Sequence, residues 1–382
     1  MATLDDLKVG TLAPLLFPID RAITTSTKLE KLGYDSIWFP DHLMGWIPDS
    51  IWTPDITVLS SMQASPHTFP EVSTAIAAHA SHTQTLQMGT AVTEVLRKHP
   101  AAVAQTFVTL DHISKGRVIL GLGAGEAENL VPYGIPFDHP VSRLEESLRV
   151  IKLLWDPEKD PNAKINFDGK YVKLEDAVFS LPLYEDKAPP IWLGAHGPRM
   201  LNLTGELADG WLPANLPPAD YKLRLKQIIE VAKKFGREES AVTPGLFIVT
   251  ALAEDHEECH EMFKTPIARA WALVEGSWAF EAAGARHPLA ERDDGKFYPF
   301  LDYIPNRYER DEILAALEKI PDGMMEGTNI HGTDEDVLKK LEEYVDAGLK
   351  HVVLWNLTGM MEPSKHFESI ALMKKVVSYI KG

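Results

Sequence analysis

Arg117-Val118-Ile119-Leu120-Gly121-Leu122-Gly123-Ala124-Gly125-Glu126 passes from an apolar run, through three alternating glycines, onto a carboxylate. Asp35-Ser36-Ile37-Trp38-Phe39-Pro40-Asp41-His42 does the same with an imidazole, and Trp46 follows four residues later. Both read as strands buried on both faces, because neither shows the polar alternation of a half-exposed strand. Each delivers a proton-transfer side chain, His42 or Glu126, just past a strand's C-terminal end. In a parallel α/β barrel that end is the mouth where sites are built.

Working outward, β-type runs alternate with helical periodicity along the whole chain, the pattern of a parallel sheet wrapped by helices. Eight strands are expected, within residues 8–13, 34–39, 86–93, 117–123, 190–195, 210–213, 243–251 and 351–356. The fold class is therefore α/β, a TIM (β/α)8 barrel spanning residues 1–382 as one domain. Ser142-Arg143-Leu144-Glu145 and Thr333-Asp334-Glu335-Asp336 read as capping boxes opening helices. Gly348 is a stop for the second of these, and residues 364–380 form a closing helix. Three stretches exceed a minimal barrel: residues 43–70, the hairpin-like 165–181, and the aromatic, proline-bearing 265–326. Long insertions of this kind are lids or interface elements.

The 382 residues, 45% of them hydrophobic, suffice for a large core. The net charge of −17 is spread along the chain, and no basic cluster points to nucleic acid. No apolar run is long enough for a membrane span. The opening Met1-Ala2-Thr3-Leu4-Asp5-Asp6 has no signal-peptide pattern, so a cytoplasmic location is expected. The single cysteine, Cys259, excludes an internal disulfide and any multi-cysteine metal site.

His42 can give or take a proton at an oxygen, and Asp41 either orients it or touches a cofactor. The Trp46 indole can donate to a substrate oxygen or simply pack its loop. Glu126 is a proton-exchanging carboxylate or a helix N-terminal one. Its preceding glycines match neither a dinucleotide fingerprint nor a P-loop. Gly194-Ala195-His196-Gly197 closes a strand before a helix, where backbone N–H groups could cradle a phosphate or only form a turn. His42, His67, His99 and His196 could converge, but no metal is assigned to the fourteen histidines.

Taken in order, these segments resemble the bacterial-luciferase-like superfamily, and within it the branch that uses the deazaflavin coenzyme F420. Asp41-His42 followed by Trp46 is similar to the catalytic segment of the F420-dependent glucose-6-phosphate and secondary-alcohol dehydrogenases. Gly89-Thr90-Ala91-Val92-Thr93 resembles the strand whose non-prolyl cis peptide, here Ala91-Val92, bulges under the deazaflavin ring. The segment 123–129 resembles the one that supplies the glutamate and a cofactor-contacting asparagine, Asn129. Residues 193–200 resemble the phosphate turn. Pro132-Tyr133-Gly134 and Ala195-His196-Gly197-Pro198-Arg199-Met200-Leu201 look similar to the mycobacterial phthiodiolone ketoreductase type. The resemblance implies hydride transfer between F420 and a ketone or secondary alcohol, with His42, Trp46 and Glu126 catalytic. Asp41, Ala91, Val92, Asn129, Gly194, Ala195, His196 and Gly197 would bind the cofactor. The glutamate that the sugar-phosphate and alcohol enzymes carry just after the first strand has no counterpart in Ala13-Pro14-Leu15-Leu16, nor the lysine that the sugar-phosphate enzyme has after the sixth strand in Ala214-Asn215-Leu216-Pro217-Pro218; both departures speak against a phosphorylated sugar. An apolar substrate is expected if Leu43, Met44, Ile47, Ile51, Trp52, Trp271, Trp278 and Phe280 roof the mouth; the other reading is that these side chains pack a dimer interface or the lid's own core, and a homodimer is expected. Two alternatives remain open: an FMN-dependent monooxygenase fed by a separate reductase, and a non-catalytic flavin-binding barrel.

Overall fold

A computed structural model describes residues 3–382. Eight parallel strands close on themselves: β1 (Lys8–Leu12), β2 (Ser36–Phe39), β3 (Gln87–Thr90), β4 (Val118–Leu122), β5 (Ile191–Leu193), β6 (Gly210–Trp211), β7 (Thr243–Leu252) and β8 (His351–Asn356). Each pairs with its neighbour in chain order, and β8 returns to β1 through Lys8↔His351, Val9↔Val352 and Gly10↔Val353. All eight coincide with expected runs. A ninth short strand, Ile330–Gly332, was not read from the sequence; it lies parallel on the outer stretch of β7 (Ile330↔Thr250). Three residues are too few to carry a periodic signal.

Large and small residues alternate inside the barrel. Trp38 and Trp192 fill it with ring centroids 5.2 Å apart, alongside Ile119, Leu212 and Val353. Glycine is required beside them: a Cβ at Gly89 would come within 2.3 Å of Trp38, and one at Gly210 within 2.3 Å of Trp192. The Trp38 indole donates to Ser36 Oγ at 2.8 Å, which also contacts His351 Nε2 at 2.7 Å. These polar groups are thereby paired despite complete burial. Outside the strands, the main core packs their outward apolar side chains against the helical ring.

The helix expected to start at a Ser142 capping box runs instead over Pro140–Leu154. Pro140 supplies a preset φ at its first turn, and Ser142 Oγ accepts from Arg199 at 3.0 Å. The Thr333/Asp336 capping box does form, on the helix Asp334–Asp346. The hairpin Ile165–Asp168/Lys173–Ala177 forms as an antiparallel pair. Among the described residues no helix is long and apolar enough to cross a membrane.

The first and last insertions pack on each other. Ile47, Ile51 and Trp52 share a second core with Phe263, Trp271, Phe280, Phe297 and Tyr303. Tyr303 donates to the Trp46 carbonyl at 3.0 Å, and Arg310 reaches Ser50 O at 3.3 Å and Thr53 Oγ1 at 2.7 Å. Packing into the insertions' own core, the other reading of these side chains, is what forms for most of them. Met44, Ile47, Ile51, Trp52, Trp271 and Phe280 are buried, most of them in that second core, whereas Leu43 and Trp278 are each 43% exposed.

Candidate active site

Asn129 organises the barrel mouth. It ends the 3-10 turn Ala127–Asn129 that follows β4. Its Oδ1 accepts the backbone N–H groups of Leu43 (2.6 Å) and Met44 (3.1 Å), which clamps the loop after β2 to the loop after β4. Those two donors fix which end of the amide is oxygen. Its Nδ2 therefore donates, towards His42 Nδ1 (3.0 Å), Glu128 Oε1 (3.2 Å) and Glu126 Oε2 (3.3 Å). A nitrogen that accepts cannot also carry the proton, so this network assigns His42 as the neutral tautomer with Nε2–H. His42 Nε2 has no protein partner among the described residues.

His42 Nδ1 also lies 3.7 Å from Glu126 and 3.9 Å from Glu128. Glu128 is almost wholly buried. Burial, and then the negative charge of Glu126 beside it, push its carboxyl well above the usual range. The Trp46 indole donates to Glu128 Oε1 at 2.9 Å. The indole N–H expected to face a substrate oxygen is thus engaged with a carboxyl that the sequence analysis did not single out. The only sequence signal for Glu128 is its place two residues beyond Glu126. His42, Glu126 and Glu128 bring ligand atoms within 4.8 Å of one another. The Asn129 amide N–H groups point into that triangle and occupy the place a cation would take.

Asp41 is turned away from the centre of this network. Its carboxylate receives Arg97 at 2.9 Å and the Thr93 hydroxyl, and Arg97 also donates to the Asp41 carbonyl at 2.8 Å. Arg97 in turn pairs with buried Glu94. This bridge ties the loops after β2 and β3, so Asp41 sets the position of His42. Nothing in the sequence spacing marked Arg97.

The Ala91-Val92 peptide is cis. A Cβ at Gly123 would come within 2.6 Å of Val92 Cγ2, and one at Gly194 within 3.4 Å of Val92 Cγ1. Gly123, which drew attention as a possible ligand contact, therefore makes room for Val92, whereas a methyl at Gly194 would meet it only at ordinary contact distance. Gly125 has φ +92, a conformation that favours glycine for a different reason. Gly197 caps the helix Pro198–Leu207, and its Cα faces open space. His196 Nε2 accepts the Ala214 N–H at 3.2 Å. Burial and the Arg224 guanidinium push its pKa down to about 4, so it is neutral at pH 7. The Ala195 carbonyl accepts the Trp211 indole at 2.9 Å. His67 accepts from Gly45 N, and His99 caps the helix Pro100–Ser114. The four histidines named together in the sequence analysis therefore do not converge.

Aromatic edges extend from His42 across the mouth. His42 meets Trp46 at 5.1 Å, Trp46 meets Trp271 at 5.3 Å, Trp271 meets Trp355 at 4.9 Å, and Trp355 meets Phe247 at 5.8 Å. Beside this wall, Asn215 after β6 donates to buried Glu275 of the late insertion at 3.1 Å. Burial raises the Glu275 carboxyl to about 7. A surface cavity of about 640 Å³, lined by residues such as Trp155, Phe167, Pro189 and Asp209, opens among the loops that lead into the strands. It lies at the opposite end from this chemistry.

The model of a family described as luciferase-like monooxygenase matches residues 2–351. A phthiodiolone/phenolphthiodiolone dimycocerosates ketoreductase from Mycobacterium kansasii is 32% identical over 335 residues, 87% of this chain and 89% of that protein. A 5,10-methylenetetrahydromethanopterin reductase from Methanolobus tindarius is 27% identical over 350 residues, 91% of this chain and 92% of that protein. Among solved structures, an F420-dependent secondary alcohol dehydrogenase in complex with an F420-acetone adduct superposes with a TM-score of 0.73. It is 22% identical, with 98% of this chain and 99% of that one covered.

Proposed function

Because the chain belongs to the luciferase-like monooxygenase family, we propose that it is an oxidoreductase that uses coenzyme F420 on a ketone or secondary alcohol with an apolar body. The observation that carries the reading is the Asn129 amide, which leaves His42 Nε2–H unpartnered at the mouth and sets Nδ1 beside two carboxyl groups. The 32% identity to a ketoreductase supports the same reaction class.

The mouth fits a flat ring system. Val92 projects beside Gly123, where a side chain would collide with it, and Gly197 leaves open backbone at a helix N-terminus for an anionic group. Ala91, Val92, Asn129 and residues 194–197 would hold the cofactor. When bound, it supplies a hydride donor or acceptor.

The chain's own groups handle protons and position. During carbonyl reduction, His42 Nε2–H donates to the oxygen as charge builds there, then transfers its proton. In the same step Glu128, which its buried setting favours in the protonated form and which lies 3.9 Å from Nδ1, gives its proton to Nδ1 as the Asn129 N–H swings aside. His42 then ends neutral with its proton on Nδ1, and Glu128 ends as the carboxylate. Glu126, less buried than Glu128, would exchange a proton with the cofactor ring. Trp46 holds Glu128 in place and walls the pocket; this replaces a direct oxyanion contact in the scheme. Alcohol oxidation runs these steps in reverse. The arc of Trp46, Trp271, Trp355 and Phe247 favours hydrocarbon over phosphate, since burying apolar area contributes about 25 cal/mol per Å².

Calorimetric titration with F420 and with FMN tests the cofactor, with F420 expected to bind more tightly by at least about tenfold. FMN binding the more tightly would turn the reading to a monooxygenase. Binding of either without turnover on any carbonyl would indicate a flavin-binding barrel. A panel of glucose 6-phosphate, isopropanol and longer ketones and alcohols tests the pocket, and preference for glucose 6-phosphate overturns it. A cytoplasmic homodimer belongs to the same proposal, and light scattering of the purified protein checks its mass.

A further inference from the structure

A second cluster of ligating side chains lies where the late insertion leaves and rejoins the barrel wall. His256 and His260 stand one turn apart on the helix His256–Phe263, and His331 projects from the short strand Ile330–Gly332. One ligating atom from each lies within 4.8 Å of the other two. Their ring centroids are 5.0, 5.1 and 5.3 Å apart.

Two observations set this cluster apart from a chance gathering. First, His256 Nδ1 meets Asp336 Oδ2 at 2.9 Å, and His260 Nδ1 meets Glu326 Oε1 at 2.5 Å. His331 Nδ1 faces the Asn329 carbonyl at 3.5 Å. Every Nδ1 thus points to an oxygen, and no Nε2 of the three has a protein partner among the described residues. Carboxylates and carbonyls behind Nδ1 are the arrangement that orients imidazoles for metal ligation through Nε2. Second, the backbone makes room for it. A Cβ at Gly332, which has φ +114, would come within 2.5 Å of His256 Nδ1 and 2.4 Å of Asp336 Oδ2. Asp336 is itself anchored by the Thr333 N–H at 2.9 Å and hydroxyl at 3.0 Å.

We propose that His256, His260 and His331 bind one divalent transition-metal ion of the zinc class through Nε2, with water as the fourth ligand, tying the start of the insertion to its end. The sequence analysis assigned no metal and took no H-E-x-x-H spacing from the histidines; that reading is corrected by His256-Glu257-Glu258-Cys259-His260, which carries the spacing and sets two imidazoles on one helical face. The third ligand arrives from 71 residues further on (331 − 260), beyond any local pattern. Cys259 points elsewhere, its Sγ directed at the Ala251 and Gly332 carbonyls. The donor set is therefore all imidazole, which suits zinc better than calcium or magnesium. Tetrahedral zinc with bonds of about 2.0–2.1 Å needs nitrogens about 3.3–3.4 Å apart. Side-chain rotation of roughly an ångström closes the triangle to that size.

The test uses tag-free full-length protein, stripped with a chelator and titrated with Zn²⁺ against a chromophoric competitor. One equivalent should bind, and Co²⁺ in its place should give a tetrahedral visible spectrum. His260→Gln and His331→Gln should each weaken zinc binding by more than about 100-fold, while Glu326→Gln, which keeps all three ligands, should weaken it by about 10–100-fold. His42→Ala should bind zinc as the unaltered chain does, which separates this site from the barrel mouth. Zinc should also slow proteolytic cleavage within residues 265–326. Absence of stoichiometric binding, an octahedral cobalt spectrum, undiminished binding in both His variants, or cleavage indifferent to zinc would overturn the proposal. Because the unaltered protein supplies the stoichiometry and the spectrum, a variant that fails to fold does not remove the test.

Discussion

Replacing Asn129 separates two roles that its amide combines. Asn129→Ala removes the acceptor for the Leu43 and Met44 N–H groups, held at 2.6 and 3.1 Å, and an amide that donates to His42, Glu126 and Glu128. An unpaired buried donor costs about 1–3 kcal/mol. Two of them set a range of about 2–6 kcal/mol. Leu43 lies at the exposed rim, where water repairs part of the loss, so about 2–4 kcal/mol is expected. Asn129→Asp restores both acceptors but cannot donate. His42 must then turn its proton onto Nδ1 and present a bare Nε2. At pH 5, where protonation eases the crowding of carboxyl groups, urea unfolding should show the Asp variant more stable than the Ala variant. In single-turnover reduction at pH 7, the Asp variant should still be slower than the unaltered enzyme by about 10²–10⁴-fold, the worth of a lost general acid. A rate within about threefold of the unaltered enzyme would refute the tautomer assignment. A loss below about 1 kcal/mol in Asn129→Ala would refute the clamp.

His42→Ala should leave cofactor affinity intact and slow single-turnover hydride transfer by about 10²–10⁴-fold. Glu275 binds its proton more tightly in the folded chain, with a pKa of about 7 against an ordinary 4.5. Its contribution is therefore fully present at low pH and is lost as the pH rises through about 7. Glu275→Gln should flatten the fall in unfolding free energy over that window, with a gain at pH 8 of at most about 3 kcal/mol; an unchanged slope would show that Glu275 does not titrate there. Gly123→Ala sets a methyl 2.6 Å from Val92 Cγ2. Displacing Val92 should weaken F420 binding, measured by calorimetry, by more than about tenfold without unfolding the chain, and unchanged affinity would remove Val92 from the cofactor platform.

The eight strands were legible because burial on both faces leaves a continuous apolar run that no other element produces at that length. His42 and Glu126 were legible because they sit just after such runs, and strand ends define the mouth. The Thr333 cap was read correctly because its hydrogen bonds span three residues. The Ser142 cap failed because Pro140 starts the same helix earlier and Arg199, 57 residues away, takes the hydroxyl. The aromatic residues of the two insertions were legible as apolar but not as each other's partners. Their shared core joins segments some 200 residues apart.

Sequence alone determined that His42 and Glu126 follow the C-terminal ends of buried strands, since strand direction and alternation are local properties with a period of two. Only the tertiary structure decided what those side chains do there. Glu128 becomes an acid through burial, Trp46 spends its N–H on Glu128, and Asn129 fixes the His42 proton from 87 positions away. The same holds for His256 and His260, whose carboxylate partners come from residues 336 and 326, and for His331, which faces the Asn329 carbonyl. Protonation and ligation depend on distances of 3 to 4 Å across separate loops. Hydrophobic patterning fixes the loops' anchors but leaves their contacts to the closure of the fold.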